Sequence, residues 1–175
     1  MRILLAYKSH HEGAEDPFTS LLPVGLLTIN AQLRESGFDS SVANFSRMGS
    51  DEIIAFLRSV SPSVVGLSQF THNRFETLDI ARLVKVHFPG CVLLLGGPHA
   101  TCRWSEILET SPFVDAVAVG EGEATMIELA RALSVGRWPL SPIAGLAVRG
   151  ADGKPILEAS RTVLEDLDAL PIAGR

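Results

Sequence analysis

Short apolar runs alternate with stretches of helical periodicity along most of this chain, and this alternation constrains its fold more than any other feature. Each run is continuous, as is typical of strands that are covered on both faces of a parallel sheet. The runs cover residues 3–7, 41–45, 64–70, 92–95 and 116–119. Helices between consecutive strands favour right-handed crossovers. The sequence therefore predicts an α/β, doubly wound, flavodoxin-like (Rossmann-like) fold with a five-stranded parallel sheet in the order 2-1-3-4-5.

Four of the intervening segments have clear helical spacing of apolar residues. They predict helices over 23–34, 50–60, 75–88 and 124–133, with a short fifth helix around 105–109. After Gly136 the pattern changes, because residues 143–148 and 155–157 flank an Asp152-Gly153 turn that is typical of a β-hairpin. We therefore expect a ligand-binding α/β domain over 1–136. A hairpin extension and an acidic linker follow over 137–175.

Composition and charge exclude several classes of partner. The chain has 175 residues, 46% of them hydrophobic, which is enough for one buried core. A net charge of −5 and the lack of a basic run disfavour nucleic acid and anionic membranes as partners. No signal peptide or membrane-spanning run is predicted. The two cysteines, Cys91 and Cys102, match neither a disulfide framework nor a metal-binding spacing, so we expect a soluble, cytoplasmic protein.

Glycine-rich turns follow two of the predicted strands. Leu95 leads into Gly96-Gly97-Pro98-His99, and Val119 leads into Gly120-Glu121-Gly122-Glu123. Glycine at the carboxyl end of a strand lets a ligand approach the backbone, since no Cβ stands in the way. Ligands of doubly wound sheets lie beyond this edge. The two turns therefore predict a cleft for a large ligand with polar edges.

These two turns belong to a set of motifs whose order and spacing are specific. The others are Leu22-Pro23-Val24-Gly25-Leu26, Val65-Gly66-Leu67-Ser68 and the closing Asp166-Leu167-Asp168-Ala169-Leu170-Pro171. With these motifs, nearly the whole chain resembles the N-terminal cobalamin (vitamin B12)-binding domain of cobalamin-dependent radical SAM enzymes. The resemblance implies that the chain binds cobalamin and presents it to a radical SAM barrel, in the same chain or a separate one, for methyl transfer or radical chemistry.

In that family the barrel holds S-adenosylmethionine and an iron–sulfur cluster bound by three cysteines spaced CxxxCxxC. This sequence contains no such motif. Both of those cofactors are therefore expected only in a catalytic domain absent from this sequence, and no residue here is expected to be catalytic.

The resemblance also assigns expected roles to residues after the third and fourth strands. Ser68 is expected to hydrogen-bond the dimethylbenzimidazole of the nucleotide tail, the alternative being that it merely ends its strand. Gln69 follows it into the site, and Thr71 either bonds the corrin edge or serves only the turn. Gly96 and Gly97 can donate backbone N–H groups to the tail.

The turn after the fifth strand has two interpretations. Gly120 and Gly122 are expected to bring their backbone close to the tail. Glu121 and Glu123 either accept hydrogen bonds from a ribose hydroxyl or a corrin amide, or merely favour the following helix N-terminus by about 0.3–1 kcal/mol each.

Further residues are expected at the mouth of the cleft. Pro98 and His99 follow the fourth strand, and His72 lies on the loop expected below the corrin ring. Leu22 and Val24 form either an apolar lip beneath the ring or part of the core. A lip of this kind would leave cobalt without a protein ligand.

The loop after the first strand contains a histidine that could ligate cobalt. Other cobalamin proteins carry DxHxxG here, but Lys8 occupies the aspartate position before His10 and Gly13. A metal-bound imidazole needs an acceptor on its other nitrogen, and lysine cannot accept. We therefore expect base-off cobalamin without a histidine ligand, with His10 as the less favoured alternative.

Three other classes of protein are alternatives to a cobalamin-binding domain of a radical SAM enzyme. Particular residues disfavour two of them, and the third stays open. A phosphoacceptor receiver domain needs acidic residues after the first strand, where this chain has Tyr7-Lys8-Ser9. A nucleotide-binding Rossmann-like domain needs GxGxxG after that strand, whereas Gly120-Glu121-Gly122 follows the fifth. A stand-alone corrinoid carrier that serves a separate enzyme subunit would have the same pocket, so the sequence leaves it open.

Overall fold

A seven-stranded sheet forms the centre of the computed structural model, which describes residues 1–9, 23–137 and 142–161. Its strands are β1 (Arg2–Tyr7), β2 (Asp39–Asn44), β3 (Val64–Ser68), β4 (Val92–Gly96), β5 (Ala116–Ala118), β6 (Leu146–Arg149) and β7 (Pro155–Leu157). The order is β2-β1-β3-β4-β5-β6-β7, and the first five strands are parallel. The predicted fold class and the 2-1-3-4-5 order are confirmed. The predicted hairpin is also present, and its two antiparallel strands extend the same sheet to seven.

In the part of the chain that the structure describes, four helices connect the parallel strands, a fifth follows β5, and together they cover both faces of the sheet. They are α1 (Val24–Glu35), α2 (Ser50–Val60), α3 (Arg74–His87), α4 (Pro98–Thr110) and α5 (Glu123–Ser134). Helix α4 is longer than the short helix expected around 105–109, because Pro98 suits a first helical turn and the helix continues through a kink at Arg103. Apolar residues of α1 and α5 pack on one face of the sheet, and those of α2, α3 and α4 pack on the other.

The described helices do not have both the length and the apolar character that crossing a bilayer requires. The two cysteines are free thiols; Cys91 is buried and Cys102 is exposed. Burial raises the pKa of the Cys91 thiol to about 11, so this side chain behaves as a small apolar core residue at neutral pH.

One arginine attaches the hairpin to the parallel part of the sheet. The Arg149 guanidinium donates four hydrogen bonds of 2.7–3.0 Å to the carbonyl oxygens of Leu108, Ser111 and Val114. These carbonyls lie at the end of α4 and in the loop after it, where helix carbonyls lack partners within the helix. Arg149 therefore caps α4 and fixes the position of β6.

Replacing Arg149 by alanine is expected to lower the free energy of unfolding by about 2 kcal/mol, because three carbonyl oxygens lose a charged donor. Urea denaturation measures this change. Arg149→Lys keeps the charge without the planar fork of donors, so we expect an intermediate loss. Equal stability of all three proteins would show that the cap contributes nothing.

Candidate functional site

A cleft of about 310 Å³ opens at the carboxyl edge of the sheet, beneath α1 and α5. The strands contribute its floor and the helix N-termini its rim, which is where ligands of doubly wound sheets lie. The predicted site residues that line it are Val24, Ser68, Gly96, Gly97, Pro98, Gly120, Glu121, Gly122 and Glu123. Gln69, Thr71, His72 and His99 are not part of this lining, and Leu22 and His10 lie outside the described residues.

Small residues form the floor of the cleft. Gly66 and Ser68 of β3, Gly96 of β4 and Ala118 of β5 all line it. Ser68 and Gly96 are direct partners in the β3–β4 register, and side chains at every second strand position share one face. A trough therefore runs across the sheet where larger residues would fill the space below α1 and α5.

Apolar side chains that the sequence did not single out form the walls. Ile29 of α1, Met126 of α5, Leu94 of β4 and Phe70 of the β3–α3 loop all line the cleft. Leu94 is the register partner of Gly66, so its side chain lies on the same face of the sheet as that of Ser68. Alternation along the strands could therefore have identified Leu94 from the sequence. The helix residues gave no such signal, because a cleft-facing apolar residue has the same spacing as a core residue.

The Ser68 side chain provides a polar group on the trough floor. Ser68 is buried, with 6% of its surface exposed, yet it lines the cleft. Its carbonyl oxygen accepts a long hydrogen bond from Asn73, but among the described residues the hydroxyl has no partner. A buried hydroxyl without a partner costs free energy unless a ligand or water satisfies it. The Ser68 hydroxyl can therefore donate to, or accept from, a ligand in the trough.

Gly97 is held in a conformation that only glycine adopts readily. Its φ of 96° and ψ of 175° place it in a region that is costly for other residues. A Cβ here would lie 2.8 Å from the Gln69 carbonyl oxygen and 3.2 Å from the Ser68 hydroxyl oxygen. Gly97 therefore lets the β4–α4 turn lie directly against the end of β3.

The turn between β5 and α5 forms the opposite rim. Gly120 has a φ of 80°, and its N–H donates to the Thr101 hydroxyl at 3.0 Å, so this amide is already used within the protein. A Cβ on Gly122 would lie 2.9 Å from Cδ1 of Ile29, which shows how closely this turn approaches α1. Helix α5 begins at Glu123, and its partly positive N-terminus therefore faces the cleft beside the two glutamates.

The β3–α3 loop is held by buried amide side chains. Asn73 is fully buried, donates to the Lys8 carbonyl at 2.6 Å and accepts from the Phe70 N–H at 2.7 Å. Gln69 donates through its side chain to the Arg74 carbonyl at 3.1 Å. Gln69 therefore supports the loop in this structure, and a contact between its side chain and the ligand stays a prediction.

His72 and His99 lie outside the cleft lining, each with one ring nitrogen bonded. Nε2 of His72 lies 3.3 Å from the Tyr7 hydroxyl, and the imidazole stacks on Phe70 with ring centroids 5.6 Å apart. Nδ1 of His99 lies 3.2 Å from the Thr71 hydroxyl. Partial burial lowers the pKa of His99, and the positive charges of Arg74 and Arg103 lower it further. His99 is therefore favoured in its neutral form.

Comparison with known proteins assigns the family. Residues 18–130 match the family model described as the B12 binding domain, so the chain belongs to the B12-binding domain family. It is 27% identical over 178 aligned positions to the anaerobic magnesium-protoporphyrin IX monomethyl ester cyclase of Rubrivivax gelatinosus, covering 97% of this chain and 32% of the cyclase. It is 33% identical over 90 positions to the cobalamin-dependent radical SAM methyltransferase TokK of Streptomyces tokunonensis, covering 51% of this chain and 13% of TokK.

The fold agrees with this assignment. The cobalamin-dependent S-adenosylmethionine radical enzyme OxsB, solved with aqua-cobalamin and S-adenosylmethionine bound, matches with a TM-score of 0.76 at 17% identity, covering 93% of this chain and 22% of OxsB. The predicted resemblance to cobalamin-binding domains of radical SAM enzymes and the predicted cobalamin cofactor are thereby confirmed. The chain spans about a third of the length of the Rubrivivax cyclase it matches.

Replacing Gly97 by alanine is expected to destabilise the protein more than replacing Gly120. Both residues have positive φ, which costs about 1–3 kcal/mol of strain for alanine. Only the Cβ at position 97 meets occupied space, since nothing lies within 4 Å of the corresponding point at Gly120. Urea denaturation of the two variants measures the difference, and equal losses would contradict the close approach described for Gly97.

Arg74→Gln is expected to raise the pKa of His99 towards its ordinary value, because one of the nearby positive charges is removed. Titration of the imidazole proton signals by NMR measures this change. Arg82→Gln is the control, because it removes an equal positive charge that does not contribute to the His99 shift; the Arg82 guanidinium lies over the Phe113 ring instead. The pKa of His99 is lower in the folded chain than in the unfolded chain, so the unfolded chain binds a proton at a higher pH. His99 therefore lowers the free energy of unfolding as the pH falls through the ordinary histidine range. An unchanged His99 pKa in Arg74→Gln would contradict the contribution assigned to the Arg74 charge.

Proposed function

We propose that this domain binds cobalamin base-off, with the nucleotide tail in the cleft and no histidine on cobalt, and presents the corrin to a radical SAM catalytic domain. The observation that carries the proposal is the trough of small residues with the Ser68 hydroxyl on its floor. A bound cobalamin supplies a cobalt ion that can carry a methyl group or take part in radical chemistry. The residues of this chain bind and orient it.

The shape of the cleft suits a long, flat ligand segment better than a compact one. Gly66, Gly96 and Ala118 leave the floor low, while Phe70 and Met126 supply apolar wall surface for an aromatic base. Ligand pockets usually combine mainly apolar walls with a few placed polar groups. Ser68 is such a group, and it stands where the resemblance expects a partner for the dimethylbenzimidazole nitrogen.

Two features support the base-off state. A dimethylbenzimidazole whose nitrogen accepted a hydrogen bond from the Ser68 hydroxyl would have that nitrogen occupied and unavailable as a cobalt ligand. In addition, the Tyr7 hydroxyl and the Phe70 ring hold the His72 imidazole, and Thr71 bonds one nitrogen of His99. These contacts oppose recruitment of His72 or His99 to the metal.

The surface beside the cleft supports presentation to a partner. Val24 lines the cleft and has 71% of its surface exposed. Phe75, near the start of α3 at the same edge of the sheet, is 59% exposed beneath the Arg74 guanidinium. Large apolar side chains at the mouth of a binding site are favourable contacts for a second protein surface. We therefore assign this edge as the face that meets the catalytic domain.

The test is a titration of the purified domain with hydroxocobalamin, followed by gel filtration. We expect corrinoid to elute with the protein, and reduced samples to give the electron paramagnetic resonance spectrum of base-off cob(II)alamin without nitrogen superhyperfine splitting. Ser68→Ala is expected to weaken binding about tenfold, which corresponds to one lost hydrogen bond. Ser41→Ala, a strand serine of β2 outside the cleft lining, is the matched control.

Each alternative gives a different result. Nitrogen splitting that disappears in His10→Ala would establish histidine ligation and overturn the histidine-off proposal. Equal binding by Ser68→Ala and Ser41→Ala would remove Ser68 from the site. If the domain retains no corrinoid, the titration is repeated with a radical SAM domain joined after Arg175. Binding in the longer protein would show that the barrel completes the site. No binding there would show that the cleft is incorrectly assigned.

A further inference from the structure

A second arginine of the extension lies at the cleft end of the molecule. After β7 the chain turns back, and we call residues 158–161 the return strap. Arg161, at the end of this strap, has only 17% of its side chain exposed. The α5 residues that it contacts, Thr125 and Glu128, lie within the first two turns of the helix, whose start lines the cleft.

The guanidinium of Arg161 makes a dense set of contacts. Its Nε donates to the Thr125 hydroxyl oxygen at 3.0 Å, and its Nη2 donates to the Glu128 carboxylate and to the Ala144 carbonyl, both at 2.9 Å. Thr125 and Glu128 belong to α5, whereas Ala144 precedes β6. One side chain therefore joins the return strap, α5 and the segment that enters the hairpin.

The backbone of the strap is held at the same place. The N–H of Gly145 donates to the Ala159 carbonyl at 2.8 Å, and the Gly145 carbonyl accepts from the Val119 N–H at 2.7 Å. A Cβ on Gly145 would lie 2.8 Å from the Thr125 hydroxyl oxygen and 3.3 Å from Cβ of Arg161. The strap thus packs beside the end of β5, next to the turn that forms one rim of the cleft.

Thr125 connects this cluster to the rim. Its side chain is fully buried, and its hydroxyl lies 3.1 Å from the Ala144 carbonyl oxygen and 3.5 Å from the Glu121 carbonyl oxygen. Glu121 lines the cleft. Arg161 is therefore separated from a cleft-lining residue by a single buried hydroxyl.

We propose that Arg161 is a positioning residue for the cofactor site, which sets residues 120–123 and the first turn of α5 against the cleft from outside it. This inference rests on the proposed cobalamin site. If Arg161 has this role, the order of the rim depends on the polypeptide that follows the hairpin, because the contacts of Arg161 with Thr125, Glu128 and Ala144 cannot form until the return strap is in place. Affinity for the corrinoid then requires the extension as well as the α/β domain.

Arg149 offers a matched control for this role. Both arginines attach the extension to the parallel part of the fold through several hydrogen bonds, but those of Arg149 within the described residues go to the end of α4 and the loop after it, and none goes to α5. A residue that only stabilises the extension should resemble Arg149 in every measurement. A residue that positions the rim should differ from it in binding.

The experiment compares Arg161→Ala, Arg161→Lys and Arg149→Ala in the 175-residue chain. We expect Arg161→Ala to raise the dissociation constant for hydroxocobalamin about tenfold, and Arg161→Lys to recover part of the loss through the Glu128 carboxylate. Arg149→Ala is expected to lower the urea midpoint at least as much while leaving the dissociation constant within twofold of the unmodified chain. Unchanged affinity in Arg161→Ala, or losses of affinity that follow stability in both alanine variants, would overturn the inference.

A second measurement decides the inference without cofactor. Hydrogen–deuterium exchange of the ligand-free proteins reports the order of residues 120–126 directly. Arg161→Ala should exchange these amides faster than the unmodified chain, and Arg149→Ala should not. If the unmodified chain retains no corrinoid, the titration with the barrel joined tests the proposed function, while exchange still tests the positioning role. Unchanged exchange in Arg161→Ala would overturn that role, and faster exchange would support it.

Discussion

The contact between the ends of β3 and β4 determines how the carboxyl edge of this sheet is built. The Gln69 N–H donates to the Gly96 carbonyl at 2.7 Å, and the His99 N–H donates to the Gln69 carbonyl at 3.1 Å. Both bonds require the β4–α4 turn to lie directly on the β3–α3 loop, and only glycine at position 97 allows this approach. The trough depends on this contact because it keeps Ser68 and Gly96 side by side while both chains turn away into helices.

The hairpin extension covers the outer edge of β5. This strand has only three residues, and without a neighbour its outer edge would present unpaired backbone groups. Strand β6 pairs with it in antiparallel orientation, and two arginines then fasten the extension to helices on opposite faces of the sheet. Arg149 donates to carbonyl oxygens, whereas Arg161 donates to the Ala144 carbonyl, the Thr125 hydroxyl and the Glu128 carboxylate. The Glu128 side chain is 43% exposed, so Arg161 avoids a fully buried ion pair, whose desolvation is costly.

Family membership and geometry together describe a domain with a cleft suited to holding a cofactor. The cleft is mainly apolar, and its polar groups are one buried hydroxyl, glycine backbone and two glutamates at a helix N-terminus. Such groups orient a ligand. Val24, which lines the cleft, is exposed, and so is Phe75 near the start of α3 at the same edge of the sheet.

The strands, most of the helices, the hairpin and the glycine turns could be predicted from the sequence alone, because each follows from local periodicity or from a turn residue type, and the resemblance to a known family added the strand order and the role expected of Ser68. The sequence did not separate the residues that line the cleft from those beside it. Gln69, Thr71, His72 and His99 follow the same strands, yet their side chains are held by Arg74, Tyr7 or one another. Nor did it indicate Ile29, Met126, Arg149 or Arg161. The hydrogen bonds of Arg149 and Arg161 join residues 17 to 41 positions apart, and only the packed tertiary structure brings such segments together.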